Sequence, residues 1–576
     1  MTRPTAVTRA GALPRWLAPV LLLALAALLS GLTILDGVQP NDEGLMLQAA
    51  ARIADGQVPY RDFWWYYPPG QPYLLGGLWA AFGPSLLAWR VVRVASDAAV
   101  AVLAYALARR RAPAGLSLAA WLVAACAMAF PSSPHPFPIA LALVLGALLL
   151  VDRAPVAAGV LVGACAAWRI EFAAYAGLGA AVACAAWAVP VRERAARFAR
   201  FAAAASATAV VLFGPVVAAA GLGRSWDLLV EYPLLDFGDY QSLPFPLDYD
   251  GPLNTSSVGG FLSDSAENLV HFYLPLALLV GAGGALVAVA ARLRRDDPWP
   301  LAAAVFAAGM AHYMLVRTDE FHTAPLAVMV AVLGSWALAS ALGAPSGAGE
   351  SGGGEGGGAG ENGGGEGGGA GASARTEARR PAAGPRGALA LAGALAAALG
   401  LAWALAEGID RRVRGLQEDT VALDLPHADG VRARPMRALG LRRAVRYVTE
   451  HVPPGEPIYV TTLRADLVTS GHPLLYALAD RPNPTRYDIA APGVVTSEPV
   501  QREIVRDLER ARPRLVVRFA APITALREPN RAGRSSGVRT LDDYLAREYR
   551  RAAKLGWYEM LEPRAGSGTA PRGGSP

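Results

Sequence analysis

The sequence predicts an all-helical membrane bundle of about 11 spans, followed by a small water-soluble α/β domain. Of the 576 residues, 53% are hydrophobic and only 17% are charged, and the mean hydropathy of +0.30 is too apolar for an ordinary water-soluble protein. Apolar runs of roughly 20 residues recur along the chain, which is the length a helix needs to cross a bilayer. The polar residues collect in loops and in one long C-terminal block.

Eleven apolar runs are predicted to be spans. The first follows a short basic leader, which also fits a signal peptide, but it lacks a small-residue cleavage pattern and further spans follow, so we expect it to be retained. The predicted spans are 16–35, 86–108, 115–131, 137–151, 156–172, 173–190, 201–221, 270–291, 299–316, 323–342 and 387–407.

Arginine clusters between the spans predict the orientation. If the spans alternate, these clusters fall on one side together with the N-terminus, and the positive-inside rule makes that side the cytoplasmic face of the plasma membrane. The clusters are 109–111, 152–153, 192–200, 292–295 and 375–386. The segments that then face outward are rich in Asp, Glu, His, Tyr and Trp, and they are 36–85, 131–136, 222–268, 317–322 and everything after 407.

The chain divides into four predicted parts. These are a transmembrane module (1–342) with outer loops 36–85 and 222–268, a linker (343–386), a last span (387–407) and an extracytoplasmic domain (408–576). The linker is rich in Gly, Glu and Ala without apolar anchors, so it is predicted to be disordered. In the last part, helices 437–452 and 501–512 alternate with strands 457–462 and 514–519, which favours a small α/β domain.

The charge and the cysteines exclude two classes of function. The formal charge of +6 is carried by arginine, since Lys554 is the only lysine. No basic patch is interleaved with aromatics, so no nucleic-acid partner is expected. Cys126, Cys165 and Cys184 lie inside apolar runs, which indicates core positions rather than disulfides or a cysteine metal site.

The first outer loop carries the most informative string of residues. Asp42 and Glu43 follow the first span and precede a short amphipathic helix, so a carboxylate there is held at the membrane surface and can act as a general base. The alternative is that Asn41 and Asp42 only cap this helix.

The whole string resembles the GT-C glycosyltransferase superfamily, in particular the bacterial branch related to protein O-mannosyltransferases and the lipid A aminoarabinose transferase. The resemblance covers the first hundred residues well and the rest by hydropathy. It rests on Asp42-Glu43, Gly56-x-x-Pro59-Tyr60-x-Asp62, Pro68-Pro69-Gly70, Phe82-Gly83 and Arg90.

The resemblance implies transfer of a sugar from a polyprenyl-phosphate donor to the hydroxyl of a glycan, lipid or protein, with inversion. It implies Asp42 as the base and Glu43 as its partner, orienting a hydroxyl or helping to hold a divalent metal, Mg²⁺ or Mn²⁺. Asp62 is the second acidic candidate. Relatives often carry a basic residue where this chain has Gln71, so the resemblance does not specify the donor or the acceptor.

Arginines near the outer ends of spans are candidate ligands for the donor phosphate, because guanidinium groups bind phosphate in a bidentate manner. Arg90, Arg93 and Asp97 share one helix face. The alternative is that Arg90 reaches the interface and Arg93 pairs with Asp97 structurally. The candidate phosphate ligands are Arg90, Arg93, Arg169 and Arg317.

Polar and aromatic residues near these arginines are candidate substrate contacts. His322 could carry a proton, bind a metal or donate to a phosphate, although a lone His at a membrane surface is often only solvated. The predicted contacts are Tyr60, Tyr66, Tyr67, Glu171, Asp319, Glu320 and His322.

Two other classes of function remain open from the sequence. A lipid or sugar transporter or flippase would also need many spans, but it predicts midplane charges and internal repeats, whereas here the charges lie at span ends. A catalytically inactive scaffold of the same fold is the second alternative.

Overall fold

The computed structural model describes residues 16–128, 135–344 and 384–565. The basic leader and nearly all of the predicted linker 343–386 lie outside these residues.

Each of the eleven predicted spans coincides with an apolar helix in the structure. These helices are α1 (Leu17–Gly31), α4 (Leu86–Arg109), α5 (Ala114–Met128), α6 (Phe137–Leu150), α7 (Pro155–Ala166), α8 (Ile170–Ala186), α9 (Val191–Ala220), α13 (Ala266–Ala291), α14 (Pro300–Val316), α15 (Glu320–Ala341) and α16 (Pro385–Gln417). The helices between them are α2 (Asp42–Ala54), α3 (Gly70–Phe82), α10 (Leu222–Trp226), the π-helix Asp227–Asp236, α11 (Phe237–Gln241) and α12 (Val258–Asp264).

Five helices within the described residues are long and apolar enough to cross a membrane by length and composition, namely α4, α9, α13, α15 and α16. The chain is therefore a multi-pass membrane protein. The six shorter helices include α7, whose 12 residues extend only about 18 Å against about 30 Å of hydrocarbon. The full count of eleven spans thus stays a prediction.

One predicted boundary is displaced in an informative way. Spans 156–172 and 173–190 were expected to meet near residue 172, but α7 ends at Ala166 and α8 begins at Ile170. The break therefore falls at Arg169, whose backbone is extended with φ −148° and ψ 107°. A charged residue thus lies at the junction of two apolar helices.

Small residues allow the helices of the bundle to approach closely. A Cβ atom added to Gly281 of α13 would lie 3.0 Å from the Cα of Gly400 in α16, and a Cβ on Gly400 would lie 2.8 Å from the carbonyl oxygen of Ala277. Lipid tails are as apolar as the helix surfaces, so the hydrophobic effect does not drive the helices together. Close van der Waals packing of this kind stabilises their association instead.

The bundle has two different ends. The predicted arginine clusters 109–111, 152–153, 192–200 and 292–295 lie together at one of them, hereafter the arginine end. Arg110 pairs there with Asp152, and Arg111 pairs with Asp297. Nearly all of the cluster 375–386 lies outside the described residues. Residues 418–565 pack at the other end, hereafter the domain end, together with the loop 36–85.

The C-terminal domain is a mixed α/β unit. Its helices are α17 (Pro435–His451), α18 (Leu474–Ala479), α19 (Glu498–Ala511) and α20 (Thr540–Glu548). Its strands are β1 (Val421–Ala422), β2 (Arg432–Ala433), β3 (Tyr459–Thr462), β4 (Val516–Phe519), β5 (Tyr549–Leu555) and β6 (Tyr558–Pro563). The main sheet has the order β3-β4-β6-β5, with β3 and β4 parallel and the other pairs antiparallel. The two predicted strands and two predicted helices are present, and the hairpin β5–β6 is an addition that the sequence did not predict.

The C-terminal domain and the first loop share one hydrophobic core. Gly44 of α2 lies so close to Leu474 of α18 that an added Cβ would overlap its backbone nitrogen. Arg52, at the end of α2, forms a buried two-point ion pair with Asp488 at 2.6 and 2.8 Å. The domain therefore fixes the position of the helix that begins with Asp42.

Candidate active site

The first residue of α2 is Asp42, and its neighbour Asn41 does not cap the helix. The Asn41 side chain makes no capping hydrogen bond. Its amide nitrogen instead donates to Asp42 Oδ1 at 3.0 Å, and its Oδ1 accepts from the backbone N–H of Gly471 at 3.1 Å. Asn41 thus connects the candidate carboxylate to the C-terminal domain, and the capping role considered for it is not observed.

Asp42 is half-buried in a charged environment. Burial raises the pKa of its carboxyl above the ordinary value of 3.8; Asn41 lowers it through the hydrogen bond, the charge of Asp319 raises it, and Arg317 lowers it. The first outer loop and the turn before α15 therefore meet at this carboxyl. Within the described chain, Asn41 is the hydrogen-bond partner of Asp42, which forms no ion pair.

Glu43 and Arg90 form a buried two-point ion pair. Arg90 Nε lies 2.8 Å from Glu43 Oε1 and Nη2 lies 3.0 Å from Oε2. The guanidinium also donates to the carbonyl oxygens of Ile34 and Gly37, both at 2.8 Å. The structure thus uses Arg90 to hold α4 against α2 and the end of α1, and a phosphate would have to displace these contacts.

Arg93 has a similar set of contacts one turn along α4. Its Nε lies 2.9 Å from Asp97 Oδ1, and Nη2 donates to the carbonyl oxygen of Met128 at 2.8 Å. Ser30 of α1 donates to the other oxygen of Asp97 at 2.8 Å. These contacts match the structural alternative for Arg93 that the sequence left open.

A cluster of aromatic rings lies beside Asp42. The rings of Tyr66 and Tyr67 are 4.2 Å apart, and their hydroxyls are hydrogen-bonded at 3.0 Å. Tyr66 also contacts Tyr232 and Phe237 of the second outer loop, at ring distances of 5.6 and 5.5 Å. Burial is the main cause that raises the pKa of Tyr67, and the charge of Asp42 adds to it. The predicted contacts Tyr66 and Tyr67 therefore do lie beside the candidate base.

Arg169 occupies the break between α7 and α8 and has an unusual environment. Only 7% of the residue is exposed, and its Nε lies 2.6 Å from Glu171. Its guanidinium lies over the rings of Tyr67, Phe172 and Tyr313 at 5.8, 5.8 and 5.0 Å. Aromatic faces stabilise a cation without using its N–H donors. Apart from the contact of Nε with Glu171, the guanidinium makes no hydrogen bond or ion pair to other described residues, so its two Nη groups remain available as donors.

The turn before α15 places Arg317, Asp319 and His322 together. Asp319 caps the helix, accepting from the backbone N–H of His322, and also contacts the His322 ring at 2.6 Å. Burial opposes ionisation of Asp319, but His322 and Arg317 outweigh it, so its pKa is lowered. Arg317 Nε lies 2.9 Å from Asp319. The side chain of the predicted contact Glu320 lies outside the described residues.

His135 was missed by the sequence analysis. Its ring stacks on Phe321 at 5.3 Å and lies 6.5 Å from the ring of Tyr67, and its Nδ1 is buried without a hydrogen-bond partner among the described residues. Burial, Arg169 and His322 hold its pKa well below 6.5, so it is neutral at physiological pH. A lone His in the predicted outer segment 131–136 gave no signal, because its partners come from other parts of the chain.

Asp62 and Tyr60 are placed differently from Asp42. Asp62 pairs with Arg61 at 2.7 Å and accepts from the backbone N–H of Val58 at 2.7 Å. The hydrogen bond from Arg61 is the main cause of its lowered pKa. Tyr60 is fully buried, and its hydroxyl donates to the carbonyl oxygen of Tyr67 at 2.8 Å. Both residues shape the loop, and neither has a contact with Asp42.

The divalent metal expected from the resemblance stays a prediction. No set of three or more His, Cys, Asp or Glu side chains is arranged within the described residues to hold a metal ion. Glu43, the predicted partner of Asp42 in such a site, is taken up by Arg90. No chemical step below therefore passes through a metal.

Comparisons with known proteins establish the fold. No protein-family model and no curated protein matches the sequence. ArnT from Cupriavidus metallidurans bound to undecaprenyl phosphate aligns with a TM-score of 0.51 and 14% identity over 96% of this chain and 99% of that chain. Its apo structure aligns with a TM-score of 0.50 and 12% identity over 95% and 97% of the two chains.

A third alignment is weaker. The archaeal oligosaccharyltransferase AglB from Archaeoglobus fulgidus, in complex with an inhibitory peptide and a dolichol-phosphate, gives a TM-score of 0.47 and 13% identity over 88% of this chain and 70% of that chain. This structural similarity is too low for any property of AglB to be assigned to this chain. The two ArnT structures suffice to confirm the predicted GT-C type of fold, since ArnT is a GT-C protein.

Proposed function

We propose that this protein is a membrane glycosyltransferase that moves a sugar from a polyprenyl-phosphate carrier to an acceptor hydroxyl, with inversion at the anomeric carbon. The domain end of the bundle would face the outside of the plasma membrane. The acceptor is a glycan, lipid or protein of the cell envelope.

The main observation in support of this proposal is that Asp42 has no ion-pair partner within the described chain. Four carboxylates gather at the site. Glu43 pairs with Arg90, Glu171 with Arg169, and Asp319 with Arg317 and His322. Asp42 alone makes no ion pair within the described chain, and one of its oxygens has no hydrogen-bond partner there. A general base needs such a free lone pair, and a pKa raised toward neutrality improves it as a proton acceptor.

The reaction is a single displacement. The acceptor hydroxyl transfers its proton to Asp42 while its oxygen forms a bond to the anomeric carbon. The bond between that carbon and the phosphate oxygen breaks, and the polyprenyl phosphate leaves with the electron pair. Attack from the face opposite the leaving group inverts the configuration.

Arg169 is the residue that we assign to the leaving phosphate. Its guanidinium is already desolvated and held by three aromatic rings and Glu171. Preorganised donors in such a site stabilise developing charge without reorganising. The undecaprenyl phosphate bound in the ArnT structure supports a lipid phosphate as the ligand. Tyr66 and Tyr67 would contact the sugar between this cation and Asp42.

A complementation experiment tests the proposal. Envelope glycans and glycolipids of a deletion strain are compared by mass spectrometry after complementation with the wild type, Asp42→Asn or Asp55→Asn. Asp55 is an exposed carboxylate that follows α2, so it is the matched control. We expect the wild type and Asp55→Asn to restore the missing product and Asp42→Asn to fail at equal protein level. Full restoration by Asp42→Asn would overturn the assignment of the base.

A further inference from the structure

A cavity of about 240 Å³ lies at the arginine end of the bundle, far from the candidate site. It is bounded by the ends of α4, α13 and α15 and by the start of α14. The proposed transfer reaction uses none of its residues. Its walls combine apolar groups, such as Ala288 and Val289 of α13, with basic side chains.

Three arginines from two segments converge on this cavity. Arg111 follows α4, and Arg292 and Arg294 follow α13, whereas Asp297 is the one carboxylate that lines the cavity in the described chain. Arg111 pairs with Asp297, and Arg294 pairs with Asp296 at 2.7 Å. The cavity therefore has an excess of positive charge that its own carboxylates do not balance.

Arg292 is the key residue because it is not neutralised. Its guanidinium donates to the carbonyl oxygen and the hydroxyl of Ser340 at the end of α15, and it makes no ion pair within the described residues. Arg111 lies over the ring of Trp336 at 5.7 Å. Tryptophan and arginine at a span end are the residues that typically contact lipid headgroups.

We propose that this cavity binds the headgroup phosphate of an anionic phospholipid. Arg292 and Arg111 bind the phosphate oxygens, and the apolar wall of α13 accepts the first carbons of the acyl chains. Arginines that only follow the positive-inside rule would extend separately into water. Here they instead surround one cavity at the ends of apolar helices.

Native mass spectrometry of the full-length protein in detergent tests this proposal. The protein is titrated with phosphatidylglycerol, with phosphatidylcholine of the same acyl chains, and with inorganic phosphate. We expect one tightly retained phosphatidylglycerol and weaker retention of phosphatidylcholine. Arg292→Gln should reduce phosphatidylglycerol retention by about tenfold, because a charge-assisted hydrogen bond is lost.

Arg295→Gln is the matched control. Arg295 is exposed beside Arg294 but does not line the cavity, so its replacement removes the same charge from the same end and should leave retention unchanged. Equal retention of the two lipids by the wild type would overturn the proposal without any variant. Displacement of the lipid by inorganic phosphate at equal concentration would identify a free-anion site instead and would also overturn it.

Discussion

Arg317 of the candidate site and Glu528 of the C-terminal domain form a two-point ion pair, in which two guanidinium nitrogens each lie 3.2 Å from a carboxylate oxygen. The segment around Glu528 makes further contacts with the second outer loop. Asn530 donates to the carbonyl oxygen of Ser242 at 2.9 Å, and Arg531 donates to Asp239 at 2.7 Å. The C-terminal domain therefore helps to position a cation whose charge acts on Asp42.

Glu528→Gln should loosen this contact. The neutral amide removes one charge from the pair while Arg317 keeps Asp319, so we expect a loss of about 1 kcal/mol, or roughly fivefold in the opening equilibrium of the segment. Hydrogen–deuterium exchange of residues 522–537 should become correspondingly faster. Glu509→Gln, at an exposed position of α19, is the control and should leave the exchange unchanged. Unchanged exchange in Glu528→Gln would show that the pair does not hold the segment.

Arg90→Gln should destabilise the whole protein. The change leaves Glu43 as a buried charge without its partner, which costs about 3–5 kcal/mol. The apparent melting temperature in detergent should therefore fall sharply. Arg61→Gln breaks an exposed pair worth at most about 1 kcal/mol and serves as the control. A normal melting temperature combined with weaker donor binding in Arg90→Gln would instead support the phosphate role predicted from the sequence.

The sequence predicted the bundle well because hydropathy is a local signal. Each apolar run became a helix, and the two predicted strands of the C-terminal domain lie side by side in the sheet. The sequence also shows that Asp42 follows the first span, but not that the C-terminal domain fixes the helix that it begins. The break at Arg169 was not, because apolar residues flank it on both sides and its stabilising rings come from distant segments.

The partners of the candidate residues could not be predicted for the same reason. Glu43 pairs across 47 positions with Arg90, and Arg52 pairs across 436 positions with Asp488. A single sequence shows which side chains are charged but not which opposite charge reaches them after folding. Arg90 could therefore be proposed as a phosphate ligand from the sequence, but nothing in the sequence indicated that Arg90 pairs with Glu43.

Gly44→Ala should separate α2 from the C-terminal domain. Alanine is the better helix former by about 1 kcal/mol, but its Cβ would overlap the backbone of Leu474, so the helices must move apart. We expect a lower melting temperature and faster proteolysis between the domain and the bundle. Gly77→Ala in α3 is the matched control, because nothing lies within 4 Å of the added Cβ. It should be neutral or stabilising, and equal behaviour of the two variants would contradict the close contact.

Asp42→Asn should stabilise the protein at neutral pH. Burial raises the pKa of Asp42 in the folded state above its ordinary value of 3.8, so the folded protein binds this proton more tightly than the unfolded chain. The free energy of unfolding therefore falls as pH rises from below 3.8 through the raised pKa. The Asp42→Asn variant has no carboxyl at this position, so its free energy of unfolding does not fall in this way as pH rises. Its melting temperature should exceed that of the wild type at pH 7, and the difference should vanish below pH 3.8.

Asp319→Asn should show the opposite sign. His322 and Arg317 lower the pKa of Asp319 despite its burial, so the ionised carboxylate stabilises the fold above its ordinary pKa and this contribution is lost as pH falls through the lowered value. We expect this variant to melt below the wild type at pH 7 and to approach it in acid. Melting curves of both variants over the same pH range test the two signs together. If the melting temperatures of both variants shifted in the same direction at pH 7, the inferred difference between Asp42, which forms no ion pair among the described residues, and the paired Asp319 would be refuted.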